Sequence, residues 1–452
     1  MKKKEIYEGL IEKTTFPNKG IIKIDEHKVT VKQGIKGQKV KLQITKAKRG
    51  KFEGRILEVL EQSDVENRVA PCDHFGPCGG CFYQTLTYDH QLEVKKNQVL
   101  DLLNDLDIDY EFEGIEGSPS EWCYRNKMEY SFGDEYKEGP LALGLHKKAS
   151  LYDIVTTTQC KIVDNDFNKV LQCVLNYFST QNIPYYRKRD HIGYLRNLVV
   201  RKGIKPQELL INLVTSSQLD LDLTELIEAL TSLELEGKIA GILHTFNDNL
   251  ADTVQNDRMS VLYGQEHFYE EVLGLKFRIS PFSFFQTNSL GAEVLYSIVR
   301  DYVGETKDKV IFDLYSGTGT IAQILAPVAN KVVGVEIVEE AVEAAKENAK
   351  LNHLNNCEFI AGDVLKVIDE LKDKPDVIVL DPPRDGIHPK ALKKIIEFGV
   401  DQIVYVSCKP TSLVRDLEVF IESGYEVKKV RCVDMFPQTV HVETIVALYK
   451  KD

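Results

Sequence analysis

Val310-Ile311-Phe312-Asp313-Leu314-Tyr315-Ser316-Gly317-Thr318-Gly319-Thr320 is the stretch on which the fold turns. Its apolar first part, Val310–Leu314, has the length and composition of a buried strand, and it runs into a glycine turn and then a helical pattern. Glycines there let the backbone approach a ligand closely at the amino end of a helix. Nineteen residues beyond Gly317, a second apolar run ends in Gly334-Val335-Glu336, where an acidic side chain can accept both hydroxyls of a ribose. Asp363 and Asp381 follow at the ends of the next two runs. From about residue 290 onward, runs at 358–361, 377–380, 402–406, 424–432 and 442–449 alternate with helical patterns. Such alternation predicts a doubly wound, largely parallel sheet, and the fold class is α/β. The turn lacks the third glycine of the dinucleotide fingerprint G-x-G-x-x-G. Without a pyrophosphate to cradle, S-adenosylmethionine (SAM) fits the loop better than NAD. A purely structural strand-to-helix turn is the alternative, weakened by the acidic residues at successive strand ends.

Working outward, Tyr405-Val406-Ser407-Cys408-Lys409-Pro410 ends an apolar run on a cysteine, 27 residues after Asp381-Pro382-Pro383-Arg384. In open α/β sheets ligands gather at the carboxyl ends of the strands, so both motifs face one crevice. A thiol in that place can act as a covalent nucleophile if it is held as the thiolate. A buried structural cysteine is the bland alternative.

The chain has 452 residues, too many for one core, and no apolar stretch near 18 residues, so no membrane span is expected. No apolar segment follows Met1-Lys2-Lys3-Lys4-Glu5, which argues against a secretory signal and for a cytoplasmic protein. Nine cysteines then read as reduced thiols or metal ligands, not disulfides. Net charge is −12, yet residues 1–58 carry sixteen Lys and Arg against seven Asp and Glu, a net of +9 that leaves −21 for the rest. A basic module on an acidic body points to a nucleic-acid partner. Short apolar runs separated by Gly20, Gly34, Gly37, Gly50 and Gly54 predict a five-stranded barrel of the OB type in residues 1–60, with Lys46, Lys48, Arg49 and Lys51 at one turn. A β-domain with a solvated basic face is the alternative. Residues 61–275 read as a β-rich central domain with helices near 166–179 and 222–232. Leu92 to Leu106 has helical spacing, and a helix over 91–113 is expected to pack on the catalytic domain of residues 276–452.

Two further clusters lie in the central region. Cys72, Cys78 and Cys81 fall within ten residues beside Gly76, Gly79 and Gly80, with Cys160 as a distant fourth. Three thiols in a glycine-bearing loop signal a metal, though a structural zinc more usually shows two C-x2-C pairs. Cys123, Cys173, Cys357 and Cys432 read as core residues. Aromatic and basic residues mix at Trp122–Lys127, Tyr185–Arg189 and Tyr194–Arg196, which suits stacking and phosphate contacts with single-stranded RNA. Arg125, Asn126 and Lys127 are the expected contacts there; many of the aromatics are core.

Asp381-Pro382-Pro383-Arg384 resembles the fourth motif of nucleic-acid methyltransferases. With Phe284-Phe285-Gln286-Thr287-Asn288, Ser407-Cys408-Lys409-Pro410 and His441-Val442-Glu443-Thr444, the whole chain resembles the RNA uracil-5-methyltransferases of the RlmD/TrmA family, and most of all their 23S ribosomal-RNA branch. The resemblance implies a Rossmann-like SAM-dependent methyltransferase domain, a barrel similar to a TRAM domain, and 23S rRNA, not DNA, as partner. It implies Cys408 as nucleophile and Glu443 as base, with Gln286, Tyr315, Glu336, Asp363 and Asp381 around the cofactor. It matches Cys72, Cys78, Cys81 and Cys160 to a [4Fe–4S] cluster, whose spacing is not that of radical-SAM enzymes. Lys409 departs from the asparagine that many relatives carry after the cysteine. The same chemistry on tRNA, or a non-catalytic RNA-binding assembly factor with this fold, are the rival readings.

Overall fold

The structure is a computed structural model that describes residues 1–250, 258–368, 371 and 373–451. Five strands, Ile6–Thr15, Lys19–Ile24, His27–Lys32, Lys39–Lys48 and Lys51–Glu61, close into a barrel. Ile11, Ile22, Val29, Val31, Val40, Leu42 and Ile44 fill it, while the lysines that alternate with them face outward. Arg49 and Gly50, both at positive φ, make the exposed turn between the last two strands.

The carboxy-terminal sheet has eight strands in the order Cys357–Ala361, Ala329–Glu336, Thr306–Leu314, Val377–Leu380, Gln402–Ser407, Glu443–Lys450, Tyr425–Val433, Glu111–Glu116. The first five run parallel; Glu443–Lys450 is antiparallel to its neighbours. Strand side chains divide by parity between two cores. Ile311, Val332, Val377, Val379, Val404 and Val406 pack with helix Ser289–Val303 and helix Glu339–Leu351. Phe312, Val333, Ile378, Leu380, Ile403 and Tyr405 pack with helices Pro389–Glu397 and Pro410–Glu422. Both faces are thus covered, as near-continuous Val/Ile runs require.

A second sheet of seven strands spans Lys127 to Gly264, backed by helices Asn165–Ser179 and Thr224–Thr231. Helix Tyr88–Asn104 places Val99 and Leu103 in the second core of the carboxy-terminal sheet, and the strand Glu111–Glu116 that follows pairs with its edge. Among the described residues no helix is long and apolar enough to cross a membrane.

Candidate active site

The parallel strands release their chemistry at one end. In spatial order their carboxyl ends present Asp363, Glu336, Tyr315 and Asp381, then Cys408. The order reverses between Thr306–Leu314 and Val377–Leu380, which is where open α/β sheets form their crevice. Glu443 arrives from the opposite direction. Ser407 pairs with Thr444 as the last rung between their strands, so one step further sets Cys408 beside Glu443. A single cavity of about 1970 Å³ is lined by all seven of the residues read from sequence as nucleophile, base and cofactor contacts.

Backbone geometry shapes the cofactor half. Tyr315 and Gly319 stand at φ of +67° and +71°. A side chain at residue 319 would put its Cβ 2.5 Å from the Phe359 ring, so only glycine closes the turn against the sheet. Glu336 accepts the backbone N–H of Gly317 at 3.0 Å and of Val338 at 3.0 Å, tying the second strand end to the glycine turn. Asp363 caps the short helix Val364–Val367 by accepting from Leu365 N at 3.0 Å. Gln286 is held by its carbonyl, which accepts from Asn126 Nδ2 at 3.0 Å.

The end of the cavity around Glu443 is a buried acidic cluster. Glu443 is 4% exposed, and burial, reinforced by Asp381, pushes its carboxyl up to about 8 against the pull of Arg384. Burial raises Asp381 to about 7. Asp313, wholly buried beneath them, reaches about 8 through burial and then Asp381, although Ala322 N donates to it at 2.9 Å. Burial, then Glu443 and Asp381, push the Cys408 thiol up to about 11, opposed by Arg384. Groups with proton affinities displaced toward neutrality are what proton-transfer chemistry needs. Sequence reading did not single out Asp313, Tyr296, Arg384 or His441, which line the same cavity. The motif Asp381-Pro382-Pro383-Arg384 was the available signal for Arg384.

Other expectations are corrected. Asn126 is 3% exposed and bonds Gln286 O and Ser289 Oγ, so it braces the pocket from within and offers nothing to RNA. Tyr124, Tyr194 and Arg196 are likewise buried, whereas Arg125 lines the cavity. Cys123 is exposed, at a bend where its φ is +52°. Lys409 caps helix Pro410–Glu422 and its ammonium lies 3.8 Å from Asp385, across an open surface.

Cys72, Cys78, Cys81 and Cys160 come together from two loops: each of Cys78, Cys81 and Cys160 is acted on by others of the four. Burial leads, pushing Cys81 up to about 12 and Cys160 to about 11. The Gly80 N–H faces Cys78 Sγ at 3.4 Å, and the backbone N–H groups of Ile162 and Val163 face Cys160. Among the described residues no three His, Cys, Asp or Glu side chains converge tightly enough for a single metal ion. The described residues thus give no support to the metal cluster expected at these thiols.

A sequence model of the tRNA (uracil-5-)-methyltransferase family matches residues 87–451. The chain belongs to that family. It is 54% identical over 454 residues to an "uncharacterized RNA methyltransferase" of Clostridium tetani, covering 100% of this chain and 99% of that one. A namesake from Caldanaerobacter subterraneus is 52% identical over 451 residues, with full coverage of both chains. The crystal structure of Pyrococcus abyssi tRNA (uracil-54, C5)-methyltransferase with S-adenosyl-L-homocysteine superposes with a TM-score of 0.77 at 25% identity, over 98% of this chain and 100% of that one. As a family member the protein is a SAM-dependent RNA uracil-5-methyltransferase, with the mixed α/β fold expected of it.

Proposed function

We propose that the protein methylates C5 of a uridine in 23S ribosomal RNA through a covalent bond between Cys408 and C6 of the uracil. The observation that carries this reading is the meeting of Cys408 and Glu443, from antiparallel strands, at the end of the cofactor pocket. Uracil C5 is a poor nucleophile. Addition of the Cys408 thiolate at C6 turns the ring into an enolate with electron density at C5. SAM, which Gln286, Tyr315, Glu336, Asp363 and Asp381 would hold, would supply the methyl group to C5 as its S–CH3 bond breaks and S-adenosylhomocysteine is left. Glu443 then accepts the C5 proton, and the S–C6 bond breaks to restore the ring and free the thiolate. Arg384 serves the first step by favouring the thiolate over the thiol.

Cys72, Cys78, Cys81 and Cys160 hold a [4Fe–4S] cluster in this reading, and four protein ligands leave it a structural role. The basic barrel supplies phosphate contacts that position RNA without reading its sequence. The support for ribosomal RNA is the resemblance of the motif set to that branch. A second reading, tRNA, is favoured by the likeness to the P. abyssi enzyme, whose match includes the barrel. Mapping 5-methyluridine in 23S rRNA and tRNA from a deletion strain separates them. Loss from 23S rRNA alone supports the proposal; loss from tRNA alone overturns it.

A further inference from the structure

The loop from Asp434 to His441 leads into Glu443 and carries no helix or strand. Phe436, Thr439 and His441 line the cavity with Glu443, so the loop forms the wall behind the carboxyl. Asp434, Met435 and Gln438 are fully buried, and Gln438 stands at a positive φ of 69°. Asp434 N still donates to Glu116 O of the sheet edge at 2.8 Å, and beyond it the loop leaves the sheet. Four consecutive carbonyls are each taken by a donor from another part of the chain. Met435 O accepts Asn288 Nδ2 at 2.9 Å, Phe436 O accepts Lys95 Nζ at 3.1 Å, and Pro437 O accepts the Tyr124 hydroxyl at 2.9 Å. Gln438 O accepts the backbone N–H of Phe82 at 2.6 Å and of Tyr83 at 3.1 Å.

Gln91 completes the clamp. Its Oε1 accepts Gln438 N at 2.9 Å and its Nε2 donates to Gln438 Oε1 at 2.9 Å. Lys95, one turn along the same helix, pairs with Asp434 at 2.6 Å with both side chains wholly buried. Phe82 and Tyr83 immediately follow Cys81, and Tyr124 packs in the core that contains Cys160 and touches Cys81. The donors on Gln438 and Pro437 therefore come from the walls of the four-thiol site.

We infer that Tyr124 and Gln91 are positioning residues for Glu443, and that through Tyr124 and the Phe82–Tyr83 backbone the four-thiol site helps set where the proton-accepting carboxyl stands. The buried donors hold a loop whose own conformation is left-handed at Gln438, and a buried carbonyl stripped of its donor pulls the loop toward another partner or water. The inference rests on Glu443 as the base. It concerns proton removal after methyl transfer, not RNA or SAM binding.

The test is full-length enzyme, purified anaerobically, assayed on a uridine-containing RNA loop for turnover and for protein–RNA adduct on denaturing gels. Tyr124→Phe removes one hydroxyl only; Gln91→Met removes both contacts to Gln438, together with the bond from Nε2 to Leu86 O, at similar volume. Each should lower kcat by about tenfold or more while leaving KM for RNA within about twofold, and should accumulate adduct carrying methylated uracil. Glu443→Gln runs alongside. Adduct in all three variants supports the inference. Adduct in Glu443→Gln, with Tyr124→Phe releasing product at the wild-type rate, overturns it and spares the base. Free product at the wild-type rate from Glu443→Gln removes the base and the inference together. Should Gln91→Met not fold, Tyr124→Phe decides alone.

Discussion

Replacing Glu443 by glutamine should stabilise the free enzyme, and by an amount that depends on pH. Burial beside Asp381 moves the carboxyl from 4.5 to about 8. A carboxyl whose affinity for protons is higher folded than unfolded costs nothing below the unfolded value. Stability is lost as pH climbs from 4.5 to about 8, and the loss is constant above. At about 1.4 kcal/mol per unit, the ionised side chain costs the fold at most on the order of 5 kcal/mol, an upper figure because Asp381 shares the titration. Glutamine is nearly isosteric with the protonated acid and cannot ionise. For a unit of 150–250 residues, 1 kcal/mol shifts Tm by about 2–4 °C, so the Glu443→Gln variant should melt above wild type at pH 8.5, by at most about 10–20 °C. Near pH 4.5 the two should coincide. Differential scanning fluorimetry across pH 4.5–9 reads the gap directly, and Asp313, present in both proteins, largely cancels. A gap that stays flat across that range would refute the reasoning, because Glu443 would then titrate as an ordinary surface acid.

Further expectations follow from the same cluster and its surroundings. Because Glu443 and Asp381 both push the Cys408 thiol up, Glu443→Gln should react faster with iodoacetamide at Cys408 at pH 9 than wild type does; an unchanged rate would show that the carboxyl does not face the sulfur. Gly319→Ala needs both a positive φ and space that Phe359 occupies, so it should cost about 1–3 kcal/mol and weaken SAM binding measured by calorimetry. Anaerobic preparations should carry about four irons per chain, falling in the Cys160→Ser variant, and stoichiometric zinc in place of iron would reject the cluster. Deleting residues 1–61 should weaken RNA affinity and flatten its salt dependence while a short loop substrate keeps its target uridine. A changed target uridine would mean that the barrel selects it.

The catalytic sheet was legible because a strand buried on both faces must be a near-continuous apolar run, and Val377–Leu380 or Gln402–Ser407 can be little else. Their ends then place Asp381 and Cys408 in one crevice without further information. Glu111–Glu116 was not legible. Its sequence, Glu-Phe-Glu-Gly-Ile-Glu, reads as solvated, yet it pairs with Tyr425–Val433, packs Phe112 and Ile115 on the core, and sets Glu113 2.7 Å from Lys429 and 3.2 Å from Arg431, partners more than 300 residues away. Asn126 misled for a related reason. Beside Arg125 and Lys127 it has the composition of an RNA contact, but it lies at the junction of the two sheets, and its amide satisfies carbonyls of the Gln286 segment. Asp313 sits in the stretch that decided the fold, yet nothing local marks it as carrying a proton near neutrality. That property comes from burial beneath Asp381, a contact between strands far apart in sequence.

The most direct test of the account is trapping with RNA that carries 5-fluorouridine, since fluorine cannot leave C5 as a proton and the final elimination is blocked. Wild-type enzyme with SAM should form a denaturation-resistant complex, and mass spectrometry should place the nucleotide on Cys408. Cys408→Ala should form none while still binding SAM. Methylation of ordinary RNA by Cys408→Ala, or an adduct on another cysteine, would contradict the covalent mechanism.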